Sequence, residues 1–126
     1  MTAINIFNKR HYAKRDHPDS HTFYCGRRMR DLAGSPLANP FKITKSLNRR
    51  SVLYLYERHF NKIVNGDDVA TLLRREFMQA LADIILVYEQ GIDVDLLCWC
   101  TPDANGNSVP CHCDMIRDYV LKVTTL

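Results

Sequence analysis

The chain has 126 residues, 46% of them apolar, and 17 basic against 14 acidic residues give a formal net charge of +3. That length suits one domain with its own core, needing neither a disulfide nor a metal to fold, and leaves little room for two. So small an excess of positive charge permits nucleic-acid binding without demanding it, and the longest apolar stretches, around 84–88 and 96–100, fall far short of the ~20 residues that cross a bilayer.

No membrane is therefore expected as a partner. The first thirty residues carry charges at His11, Lys14, Arg15, Asp16 and His17 without an apolar run, so no secretory signal is expected and a cytoplasmic location is. In that setting five cysteines, an odd number, read as reduced thiols. Seven of the 17 basic residues (Lys9, Arg10, Lys14, Arg15, Arg27, Arg28 and Arg30) lie in the first thirty positions. That is either a solvated face or an anion site.

Along the chain, residues 3–7 have the alternation of a short strand, and residues 22–25, closed by Gly26, read as a second. The polar stretch 11–21 between them is expected to be a surface loop. Pro36 and Pro40 exclude both a helix and a central strand from residues 34–41, a loop that Leu37 and Phe41 would anchor. Val52, Tyr56, His59, Phe60 and Ile63 recur at helical spacing, predicting a helix from about Asn48 to Gly66. A second helix is expected to open at Asp67 or Asp68, to bury Val69, Leu72, Leu73, Phe77, Ala80, Leu81, Ile84 and Tyr88, and to stop at Gly91. The apolar run 94–99 predicts a strand covered on both faces, residues 101–109 a turn-rich loop, and Pro110 the first turn of a last helix burying Met115, Ile116, Tyr119, Val120 and Val123. This order predicts a single α/β domain over 1–126, a small Rossmann-like fold with a mostly parallel sheet flanked by helices.

Ligands in such sheets gather at the carboxyl ends of strands, which points to the segment 26–41 and to the segment 100–112. Cys98 and Cys100 should share one strand face with Trp99 on the other. Cys111 and His112 fall at a helix start, where N–H groups and the dipole favour a thiolate or a bound anion. Cys98 and Cys25 read as small core residues. Zinc has possible ligands in Cys98, Cys100, Cys111, His112 and Cys113, but the spacing fits the usual paired-ligand template poorly. No metal ligand set and no cofactor is therefore expected. Dinucleotide-binding, Walker and nucleophile-elbow glycine motifs are absent.

Three ordered blocks carry a resemblance. They are Tyr24-Cys25-Gly26-Arg27, the run from Gly34 through Asn39-Pro40-Phe41, and Leu97-Cys98-Trp99-Cys100 with Pro110-Cys111-His112-Cys113-Asp114. They resemble the domain-of-unknown-function family 4326 (DUF4326) of phages and bacteria, and the last block is similar to a Rossmann-like unknown family, DUF488. Cys25, Ala38 and Cys113 depart from the pattern, and the loop 101–109 is longer than usual.

The resemblance implies a fold and a pocket without naming a reaction. The expected ligand is a phosphorylated, nucleotide-like small molecule. Gly26, Arg27, Ser35, Pro36, Asn39, Cys100 and Asp114 are the ligand-binding candidates, and Cys111 as nucleophile and His112 as acid or base are the catalytic ones. Whether the protein is an enzyme of nucleotide or nucleic-acid metabolism, a non-catalytic sensor or sequestering module, or a zinc-stabilised interaction domain stays open at this level.

Overall fold

Three short runs become strands, the first two rich in β-branched and aromatic residues and the third mostly apolar: β1 (Ile4–Asn8), β2 (His21–Tyr24) and β3 (Val94–Cys98). The structure is a computed structural model that describes residues 2–29, 32–67, 70–99 and 110–125. The strands form one parallel sheet in the order β1-β3-β2, with Ile6 and Phe23 both in register with Leu96. Every residue of β3 is buried, as its nearly continuous apolar run, broken only by Asp95, predicts for a central strand.

Three helices complete the α/β fold: α1 (Arg49–Asn65), α2 (Thr71–Glu89) and α3 (His112–Thr124). Asn48 caps α1 by accepting the Ser51 N–H at 2.9 Å. Gly66 ends the helix in the left-handed region at φ 76°, where a side chain would be strained. The expected start of α2 shifts. The Asp67 N–H bonds the Lys62 carbonyl at 3.0 Å, so Asp67 completes the end of α1 instead of capping the next helix. α2 begins at Thr71 behind Ala70, which offers no side-chain cap, and Arg74 binds the Ile63 and Val64 carbonyls at 3.0 and 3.3 Å, joining the two helices. Asp68 and Val69 lie outside the described residues.

Val94, Leu96 and Cys98 enter one core with Tyr56, Phe60 and Ile63 of α1, Phe77, Leu81 and Ile84 of α2, and Ile116 and Val120 of α3. Leu72 and Leu73, expected on the inner face of α2, are instead 63% and 40% exposed, because the first turn of α2 lies beyond the packed part of the helix. Strand alternation sends Asp95 to the opposite face. There the connector between β1 and β2, with 3₁₀ turns at Lys9–His11 and Lys14–Asp16, does more than loop over the surface. Tyr12 donates its hydroxyl to the fully buried Asp95 at 2.7 Å, the Asn5 amide reaches the same carboxylate at 3.3 Å, and His17 Nδ1 lies 3.8 Å from it. Phe7, Tyr12 and His17 pack ring against ring over this side of the sheet. The described helices α1 to α3 share one core with the parallel sheet, which is the expected α/β fold, while its Rossmann-like character gains no confirmation.

Candidate functional site

Parallel strands bring their carboxyl ends to one edge of the sheet, and the elements that follow them meet there. Gly26 and Arg27 follow β2, Trp99 follows β3, Arg49, Val52 and Leu53 begin α1, and His112 begins α3. With Asn39, Phe41 and Ile43 they line a cleft of about 110 Å³.

The loop 34–41 is held by local hydrogen bonds. Ser35 N donates to the Gly26 carbonyl at 2.9 Å, Ser35 Oγ accepts the Leu37 N–H at 3.0 Å, and Asn39 Oδ1 accepts the Phe41 N–H at 2.9 Å, an Asx turn that faces the cleft. Buried Leu37 plugs the core, and its carbonyl accepts the hydroxyl of buried Tyr56 at 2.7 Å. Gly26 has no room for a side chain, because a Cβ there would run into the Tyr24 ring. The Tyr24 hydroxyl donates to the Arg27 carbonyl at 2.5 Å and accepts from Trp99 Nε1 at 2.8 Å, tying the two strand ends together.

At the start of α3, Pro110 precedes the helix instead of occupying its first turn, and Cys111 is the N-cap. Asp114 Oδ2 accepts the Cys111 N–H at 3.0 Å, and Cys111 Sγ accepts the Cys113 N–H at 3.5 Å, a capping box with a thiol in the place of a hydroxyl. His112 is 5% exposed, with Nε2 2.6 Å from the Cys25 carbonyl oxygen and Nδ1 3.7 Å from Cys111 Sγ. Burial works to lower its pKa, but the hydrogen bond and charge of Cys111 and the Cys25 carbonyl outweigh it and push the value up to about 9.

Behind His112 lies a cluster of thiols. Cys98 Sγ is 3.2 Å from Cys111 Sγ, and the Sγ atoms of Cys98, Cys111 and Cys113 all lie within 4.8 Å of one another, each residue at most 1% exposed. The neighbouring thiols of Cys111, Cys25 and Cys98, followed by burial, hold the Cys113 thiol well above its ordinary pKa.

Of the expected site residues, Gly26, Arg27, Asn39 and His112 share the cleft. Ser35 and Asp114 spend their side chains on a turn and a cap, and exposed Pro36 is not among the lining residues. Cys111 sits beneath His112, away from the cleft wall. Cys100 and the loop 101–109 lie outside the described residues. Sequence reasoning left Arg49 and Cys113 out of the site. Arg49 reads as an ordinary first-turn residue until the fold carries it to the strand ends, and Cys113 enters the sequence reading only among the possible zinc ligands, whose spacing fits the paired-ligand template poorly.

No curated protein and no solved structure matches the chain, and the similarity to DUF488 gains no support. A family model, Domain of unknown function (DUF4326), matches residues 7–122, and the chain belongs to that family.

Proposed function

We propose that the protein binds a small phosphorylated ligand of nucleotide or nucleoside type in the cleft at the carboxyl ends of β2 and β3. One observation carries this reading: Arg27 and Arg49, from separate elements, line the same cleft as Asn39 and His112, and among the described residues no carboxylate pairs with either guanidinium. Two unpaired guanidinium groups beside a polar side chain suit a phosphate, which arginine engages with two parallel hydrogen bonds.

The volume sets the binding mode. A cleft of about 110 Å³ is smaller than the ~300–1,000 Å³ of sites that enclose a whole drug-sized ligand. It takes the phosphorylated end, while the base lies outward against Phe41 and Trp99, both among the lining residues. Binding is favoured over thiol catalysis because Cys111 is 1% exposed behind His112.

Calorimetric titration of the full chain with nucleoside monophosphates, the matching nucleosides and inorganic phosphate tests the reading, with chromatography of the mixtures to detect turnover. The phosphorylated members are expected to bind, and Arg27→Ala or Arg49→Ala to weaken them by about 1.5–3 kcal/mol, the scale of a hydrogen bond to a charged group. Equal affinity of wild type and both variants, or binding indifferent to the phosphate, overturns it.

A further inference from the structure

Below the cleft, a sulfur from the end of β3 meets two from the start of α3. Cys98 ends β3, Cys111 caps α3 and Cys113 lies in its first turn, and their Sγ atoms fit within 4.8 Å of one another. We propose that Cys98, Cys111 and Cys113 form a three-thiolate site for a thiophilic d10 cation, zinc(II) or copper(I). The inference goes beyond the ligand-binding reading and does not rest on it.

Size is the first argument. At a metal–sulfur distance of about 2.3 Å, two thiolates on one tetrahedral ion stand about 3.8 Å apart. The 3.2 Å between Cys98 and Cys111 and the 4.8 Å limit on the whole group bracket that value, so shifts below 1 Å per sulfur suffice. Electrostatics is the second. Three thiolates buried to 1% exposure or less need compensation, and the N-terminus of α3 supplies part of it through its dipole and through the Cys113 N–H that points at Cys111 Sγ. A cation supplies the rest, and thiolate donors select zinc(II) and copper(I) over harder ions.

The third argument is the donor set. Cys-x-Cys at a helix start, completed by a cysteine from a neighbouring strand, offers sulfur from two elements that the fold already holds together. Cys25, buried in the same core cluster, offers a further sulfur. Zinc(II), which prefers four ligands, would recruit Cys25, whereas copper(I) would be satisfied by three. Binding forms one metal–sulfur bond per thiolate, three for copper(I) and four for zinc(II), and releases as many thiol protons to solvent, with no change of oxidation state.

The test uses the full chain, reduced and stripped by a chelator, then titrated anaerobically with zinc(II) and separately with copper(I) against a chromogenic competitor. One equivalent is expected to remain through gel filtration, with three or four sulfur neighbours at about 2.3 Å by X-ray absorption. Cys113→Ser is expected to weaken binding by ~100-fold or more, since even outer-shell changes cost 10–100-fold. Cys25→Ser discriminates the ions, weakening zinc(II) and leaving copper(I) unchanged. Should the serine variants not fold, absorption spectroscopy on the wild-type chain decides alone. Failure to retain either ion, a nitrogen- and oxygen-only coordination sphere, or unchanged affinity in folded Cys113→Ser overturns the site. Because metal alone is titrated, the outcome is independent of whether the cleft binds phosphate.

Discussion

The imidazole Nε2 of His112 lies 2.6 Å from the carbonyl oxygen of Cys25, and this contact fastens the first residue of α3 to the end of β2. Both partners are buried, so losing the imidazole leaves a backbone carbonyl without its hydrogen bond in a region that excludes water. His112→Ala is expected to lower stability by about 1–3 kcal/mol, the cost of an orphaned buried polar group. Urea unfolding of the reduced protein measures it. A midpoint unchanged from wild type would show that the contact does not hold the two elements together.

Tyr56 plays the corresponding part for the loop 34–41, since its hydroxyl donates to the Leu37 carbonyl at 2.7 Å from within the core. Tyr56→Phe keeps the ring packing against Phe60 and His112 and removes the hydrogen bond alone. A loss of about 1–3 kcal/mol is expected, together with faster amide exchange across 37–41. Exchange confined to other segments would place the anchor of the loop elsewhere.

On the other face of the sheet, the cover around Tyr12, then its hydrogen bond to Asp95 and the charge of that carboxylate, raise the phenol pKa from 10.0 to about 12. The folded protein therefore holds this proton more tightly than the unfolded chain. The unfolded chain loses it first, near pH 10, and the contribution of Tyr12 to stability is complete below that pH and falls away between about pH 10 and 12. Asp95→Asn is expected to move the Tyr12 transition back toward pH 10, followed by phenolate absorbance or by NMR of the ring. An unmoved transition would remove Asp95 as a cause.

The chain has one tryptophan, Trp99, placed as a reporter of the cleft. Its Nε1 donates to Tyr24, which donates to the carbonyl of Arg27. A phosphorylated ligand seated on Arg27 is expected to change Trp99 emission in a saturable way, and Arg27→Ala to shift the midpoint to roughly tenfold higher concentration or more. A flat response while calorimetry records binding would put the ligand outside this cleft.

What the sequence determined by itself was local. Helical spacing from Val52 to Ile63 and the glycine at position 66 define α1 because periodicity and left-handed backbone are properties of neighbouring residues. The apolar run 94–98 marks a buried strand for the same reason, and the ordered blocks around Gly26, Asn39-Pro40-Phe41 and Cys111-His112 point to the family and to part of the cleft. The start of α2 was misplaced because Asp67 has the chemistry of a cap but serves the preceding turn. Tertiary structure alone decided the rest. The strand order β1-β3-β2 brings Arg49 to Arg27, buries Asp95 under Tyr12 and sets Cys98 against Cys111 and Cys113. Proximity across strands and helix starts depends on chain crossover, which residue types at fixed spacing do not encode.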